Sequence, residues 1–129
     1  IIAGTFAGSI TAWILLPGVG LRDTLCVGLG LGYYSLSSIL IENSGNSALA
    51  SVALLANIMR EIMALLGTPL LVRFCGGLAP VGAAGATAMD TTLPVIARFS
   101  GEHFAVIAVF SGMVLTLLVP FLVSAALLW

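Results

Sequence analysis

The sequence contains no lysine, and its 129 residues carry only four arginines, five carboxylates and one histidine. A soluble domain covers itself with charged side chains, commonly about a quarter or more of its surface positions. Here charged residues are 7% of the chain, too few for that cover. The expectation is therefore one membrane unit throughout, with no separate soluble domain. No cluster of basic residues offers a footprint for nucleic acid. Cysteine is scarce too: Cys26 and Cys75 lack metal-ligand spacing. Cys26 lies in an apolar run and reads as a small buried hydrophobe; nothing marks Cys75 as reactive. There is no histidine cluster, Ser/His pair or glycine-rich nucleotide motif, so an enzyme is not expected. A basic start and a polar mature part are both missing, which argues against a signal peptide. The chain opens on Ile1 inside an apolar run, as the interior of a longer protein would.

What the sequence has in abundance is apolar length. Sixty per cent of residues are hydrophobic and the mean hydropathy is +1.23. Five apolar segments run roughly Ile1–Pro17, Thr24–Ile41, Leu49–Val72, Ala79–Ala97 and Phe104–Trp129. Each approaches or exceeds the roughly 20 residues that cross a bilayer as a helix. The breaks between them are short and polar, which makes consecutive helices antiparallel neighbours. The expected fold is all-α and integral to the membrane, with five transmembrane helices. Arg22 and Arg73 would share one face, Arg98 and His103 the other, and the arginine balance slightly favours the first as cytoplasmic.

Polar residues inside these segments carry the functional signal. Ionisable groups at membrane depth are costly, and they pair, line a cavity or handle a solute. The third segment holds Asn57, Arg60 and Glu61. Asn57 shares a helix face with Glu61 at four residues' spacing and lies near Arg60 at three. Two readings stand: a buried ion pair that fixes the helices, or a polar surface on a solute path. Because a free cation would repel a cationic solute, Arg60 is expected to be neutralised by a carboxylate. The second segment holds Tyr33-Tyr34-Ser35-Leu36-Ser37-Ser38 at mid-length. Tyrosine favours membrane interfaces, so Tyr34 at mid-depth suggests a protein-lined pocket with Ser35 and Ser37 nearby. Glu42 reads as a loop or cap carboxylate. The glycines at 28, 30 and 32 read as small residues for close helix packing.

The fourth segment is the most unusual. It combines Gly82, Gly85 and Ala86 with Thr87, Asp90, Thr91, Thr92 and Pro94. Pro94 cannot donate to a helix ladder and disfavours helical geometry at Leu93. The readings are a kink, or an unwound stretch near Thr87 to Pro94, with Gly85 and Pro94 as helix-break residues, that exposes backbone dipoles to ions and substrates. The fifth segment carries no charge after His103 and reads as scaffold, with Pro120 as a kink and Ser111, Gly112 and Thr116 free to face neighbours.

Three ordered blocks, Gly32-Tyr33-Tyr34-Ser35-Leu36-Ser37, Asn57-Ile58-Met59-Arg60-Glu61 and Gly85-Ala86-Thr87-Ala88-Met89-Asp90-Thr91-Thr92-Leu93-Pro94, resemble the C-terminal half of the bacterial lysine exporter (LysO) family. The resemblance runs from about Leu25 to the C-terminus. It implies export of L-lysine and cationic analogues across the cytoplasmic membrane. It also implies kinship with the bile acid, arsenite and riboflavin transporters, whose ten helices form two inverted halves with a discontinuous fourth helix in each. This chain would be one such half of an inverted-repeat transporter, needing an N-terminal half from the same or a separate chain. By the same resemblance Tyr34, Ser35 and Ser37, then Asn57, Arg60 and Glu61, then Thr87, Asp90, Thr92 and Pro94 belong to its polar blocks.

The expected mechanism is alternating access of a secondary transporter in a multi-pass inner-membrane protein. Asp90 and Glu61 would meet ammonium groups or a coupling proton or sodium ion, with Asp90 the candidate for Na+, and no resident metal or cofactor. Exposed backbone groups at the break would hold an amino-acid carboxylate. The rivals are transport of another solute, such as an organic anion on Arg60, and a non-transporting assembly subunit whose charges are satisfied internally.

Overall fold

The computed structural model describes the whole chain, Ile1–Trp129, as helices joined by short connections. In order these are α1 (Ile2–Leu15), α2 (Leu21–Gly28), α3 (Tyr34–Asn43), α4 (Ser47–Cys75), α5 (Ala79–Ala84), a 3-10 segment (Gly85–Met89), α6 (Leu93–Ser100) and α7 (Glu102–Leu128).

The expectation of five membrane-crossing helices, and with it the five-helix half of an inverted repeat, is corrected. Only α4, with 29 residues, and α7, with 27, are long and apolar enough to cross a membrane. α1 has 14 residues. The stretch read as a second span is divided into α2 and α3, and the stretch read as a fourth into α5, the 3-10 segment and α6. The physical reason lies in the backbone. Between α2 and α3, Leu31 adopts φ 49° and Gly32 φ 96°, a left-handed pair that no continuous helix accommodates. Of the three alternating glycines, Gly32 thus ends the helical run, while Gly28 and Gly30 do serve close packing: a Cβ on Gly28 would run into Ser9, and one on Gly30 would lie 2.8 Å from Ser37 Oγ. Gly85 adopts φ 66° and turns the chain after α5.

α4 starts where the Asn46 side chain accepts the Leu49 amide at 3.1 Å, relieving one of the orphan donors of a first turn. It continues through Pro69 and stops at Gly76, which has φ 87°. α7 follows Gly101, carries Glu102 in its first turn, where a carboxylate suits the helix dipole, and runs through Pro120. The inward stripe of α4 is Ala50, Ala53, Asn57, Ala64 and Thr68; that of α7 is Ala108, Gly112, Leu115, Val119 and Val123. Their small members, the alanines and Gly112, let neighbouring backbones come close. At Gly112 the approach is tight enough that a Cβ would lie 2.6 Å from Met89 Cβ and 3.0 Å from the Ala86 carbonyl. The outward faces stay apolar: Leu55, Met63, Leu66 and Phe74 on α4, and Val106, Phe110, Leu117 and Phe121 on α7, are exposed. Arg22, at the start of α2, donates to the Leu127 carbonyl and ties down the last turn of α7.

The core forms two clusters. Leu25, Leu29, Leu31, Ile41, Leu115 and Val119 belong to one, and Ala64, Val81, Ile96 and Ala108 to the other. The end of α5 and the stretch after it bridge them, with Ala86 in the first and Ala84 and Ala88 in the second. Its junction with the α2–α3 turn is a direct backbone bond, in which the Ala86 amide donates to the Leu31 carbonyl at 2.8 Å. Two interrupted stretches therefore meet face to face, with α4 behind them.

Candidate functional site

The side chains of α4 that looked anomalous in an apolar segment serve the two interruptions. Asn57 is 3% exposed. Its Oδ1 accepts the Gly32 amide at 3.0 Å, and its Nδ2 donates to the Val27 carbonyl at 3.2 Å and the Ala53 carbonyl at 2.8 Å. One carboxamide thus satisfies both a donor and an acceptor that the broken α2–α3 stretch leaves without helical partners. One turn on, Arg60 Nη2 donates to the Ala84 carbonyl at 3.1 Å, at the end of α5. The contact that Arg60 makes within the chain is thus with a backbone carbonyl and not a hydrogen bond to a carboxylate. Its buried Nε has no partner. Replacing Asn57 by Ala strands the Gly32 amide and the Val27 carbonyl inside the fold. A loss of about 2–4 kcal/mol is expected, since each unsatisfied buried group costs about 1–3. Thermal unfolding of the purified protein measures it, and an unchanged midpoint would overturn this role.

The threonines of the 85–92 stretch divide in the same way. Thr87 donates to the Ala84 carbonyl at 2.8 Å and Thr92 to the Thr87 carbonyl at 2.7 Å. Both are buried and hold the turn from inside. Thr91 is exposed and donates instead to a carboxylate oxygen of Glu61 on α4. Ser37 is fully buried and bonds back to the Tyr34 carbonyl at 3.2 Å. Pro94 sits in the first turn of α6, where its missing amide costs nothing.

A cavity of about 190 Å³ opens where the two interruptions and α7 converge. Of the residues singled out in the sequence, Tyr34, Ser35, Glu61, Thr87 and Asp90 line it. Asn57, Arg60, Thr92, Ser37, Gly85 and Pro94 do not; they shape the backbone behind it. Gly32, Tyr33, Met89, Thr91 and Thr116 line it as well, though none was singled out as a site residue. Thr91 was within reach of sequence reasoning, as the neighbour of Asp90. Thr116 was not, because its segment reads as plain scaffold. The inner wall is buried Gly32, Ala86 and Thr87, and the rim is exposed Tyr33, Ser35, Asp90 and Thr91. α3 begins at this wall without a side-chain cap, so the amides of its first turn are not claimed by a capping group. The cavity thus offers two carboxylates, hydroxyls and an uncapped helix start, a combination suited to a zwitterion with added positive charge. A larger apolar groove of about 500 Å³ between Ile1, Ile2, Phe110 and Val114 has almost nothing polar to orient a solute. No three His, Cys, Asp or Glu side chains converge as a metal-ligand group.

A sequence profile described as "Lysine exporter LysO" matches residues 1–127. The chain belongs to the lysine exporter LysO family. Two relatives place it within that family more closely. "Lysine exporter LysO" of Escherichia coli (strain K12) is 37% identical over 125 residues, covering 96% of this chain and 40% of that protein. "Putative lysine exporter" of Haemophilus influenzae (strain ATCC 51907 / DSM 11121 / KW20 / Rd) is 34% identical over 121 residues, covering 94% of this chain and 60% of that protein. The chain therefore spans about half the length of the LysO-family relatives it matches. No solved structure gives a significant match.

Proposed function

We propose that this chain is part of a secondary transporter that exports L-lysine and cationic analogues across the cytoplasmic membrane. The rest of the longer protein, or a second chain equivalent to it, completes the solute path. The observation that carries the reading is the cavity where Glu61 and Asp90 stand beside the uncapped start of α3. A polar rim of this kind between apolar helix faces is costly against lipid and inexpensive against a solute or water. Lysine brings two ammonium groups and one carboxylate. Asp90 and Glu61 receive the ammonium groups or, in the return step, a coupling proton or sodium ion. The free amides at the start of α3 receive the carboxylate. Closing the cavity from alternate sides moves the solute without chemistry, so no catalytic group is required.

The alternative in which Arg60 binds an organic anion is weaker. Arg60 is turned toward the Ala84 carbonyl at the end of α5 and is not among the residues that line the cavity. The test is counterflow of labelled lysine in liposomes that hold the purified full-length protein. Exchange with lysine, competed by cationic amino acids and indifferent to organic anions, is expected. Exchange with anions alone would replace this reading with the Arg60 one, and no exchange of any amino acid would end it.

A further inference from the structure

Thr91 is the one threonine of the interrupted stretch whose hydroxyl is directed at a carboxylate and not at the backbone. Thr87 and Thr92 both use theirs to hold carbonyls of their own turn. The Thr91 bond crosses from the turn after the 3-10 segment to Glu61 on α4, 30 positions away in sequence. Both residues line the same cavity, with Asp90 beside them. We infer that Thr91 is a positioning residue. It holds the Glu61 carboxylate toward the cavity, so that the site presents one fixed and one mobile negative group.

The argument rests on conformational freedom. A glutamate at a half-open rim has several rotamers, and ordering it on binding costs free energy that a pre-existing tether removes. Threonine suits the task because its branched Cβ restricts the side chain to few orientations. The Asp90 carboxylate receives no hydrogen bond from within the chain and stays free to follow its ligand. The cavity has room for roughly six waters at about 30 Å³ each. A group of ammonium size inside it therefore lies within short range of Glu61. In this arrangement the tether acts on affinity for dibasic amino acids, and through Glu61 only.

The inference builds on the lysine-export reading, and one experiment separates the two. Lysine counterflow is measured in liposomes with the full-length protein, its Thr91→Val and Thr91→Ser variants, and Glu61→Gln with and without Thr91→Val. Val keeps the branched shape and removes the hydroxyl; Ser restores the hydroxyl. Thr91→Val is expected to raise the lysine KM about tenfold, the size of a lost hydrogen bond to a charged group, with little change in maximal rate. Thr91→Ser should return the KM to near the wild-type value. In the Glu61→Gln background, Thr91→Val should add nothing comparable. A wild-type protein that does not exchange lysine overturns the export reading and this inference with it. A wild type that exchanges lysine normally overturns the inference alone if Thr91→Val leaves KM unchanged, if Ser fails to rescue, or if the two substitutions are additive.

Discussion

Asp90→Asn is expected to abolish lysine exchange, by about a hundredfold or more, in a protein that remains as stable as the wild type. Truncating one partner of a buried, hydrogen-bonded charge pair typically costs about 2–5 kcal/mol, much of it the penalty on the charge left unpaired, and in the closed cavity Asp90 and a solute ammonium form such a pair. The position makes the prediction sharp. Asp90 is exposed at the rim of the cavity, and no side-chain hydrogen bond within the chain uses its carboxylate. Its backbone does the structural work, with the amide donating to the Thr87 carbonyl at 3.0 Å and the carbonyl accepting from the Leu93 amide at 3.3 Å. Asparagine keeps both contacts and the shape of the side chain, and loses only the charge. Surface changes of that kind shift stability by about 0.5 kcal/mol or less. The comparison is between counterflow and thermal unfolding of the same preparations. Wild-type exchange kinetics in the variant would remove Asp90 from the solute path. A large loss of stability would mean that its carboxylate has a structural partner after all.

The sequence made the location of the site legible but not its construction. Asn57, Arg60 and Glu61 stand out because polar groups are rare in an apolar run, and all three lie at the junction. What Asn57 and Arg60 do there follows only from where the backbone is broken. Each serves a carbonyl or an amide that an intact helix would have satisfied, so neither needs a carboxylate. Hydropathy cannot reveal such breaks, since two short apolar helices score like one long one. That is why five spans were expected where two long helices form. The clue at the first break was Gly30-Leu31-Gly32, which is equally compatible with close helix packing. Both uses occur, with Gly30 packed against Ser37 and Asn57 and the φ values of Leu31 and Gly32 making the break. Thr116 reaches the cavity through tertiary placement, and no spacing rule announces it.

The largest expected effect on the fold itself comes from the smallest change, a methyl group at Gly85. Its backbone has φ 66° and ψ −128°, a combination essentially reserved for glycine. A Cβ there would also run into the Leu31 carbonyl and the Arg60 guanidinium. These are the two groups that join the interrupted stretches to each other and to α4. Strained backbone of this kind costs about 1–3 kcal/mol, and overpacking a fixed wall costs about 1–3 more. Gly85→Ala should therefore lose about 2–6 kcal/mol of stability and open the Leu31–Ala86 bond. Gly82 supplies the control from the same stretch. It is exposed within α5, and a Cβ added to it meets nothing within 4 Å. Gly82→Ala should be neutral or gain up to about 1 kcal/mol by restricting the unfolded chain. Two identical substitutions three residues apart thus carry opposite signs. Thermal unfolding of both proteins, with amide exchange at Ala86 as a local probe, distinguishes a built junction from a merely glycine-rich one. Equal behaviour of the two variants would mean that the two interruptions do not depend on each other. The cavity between them would then lack the rigid wall on which both carboxylates rely.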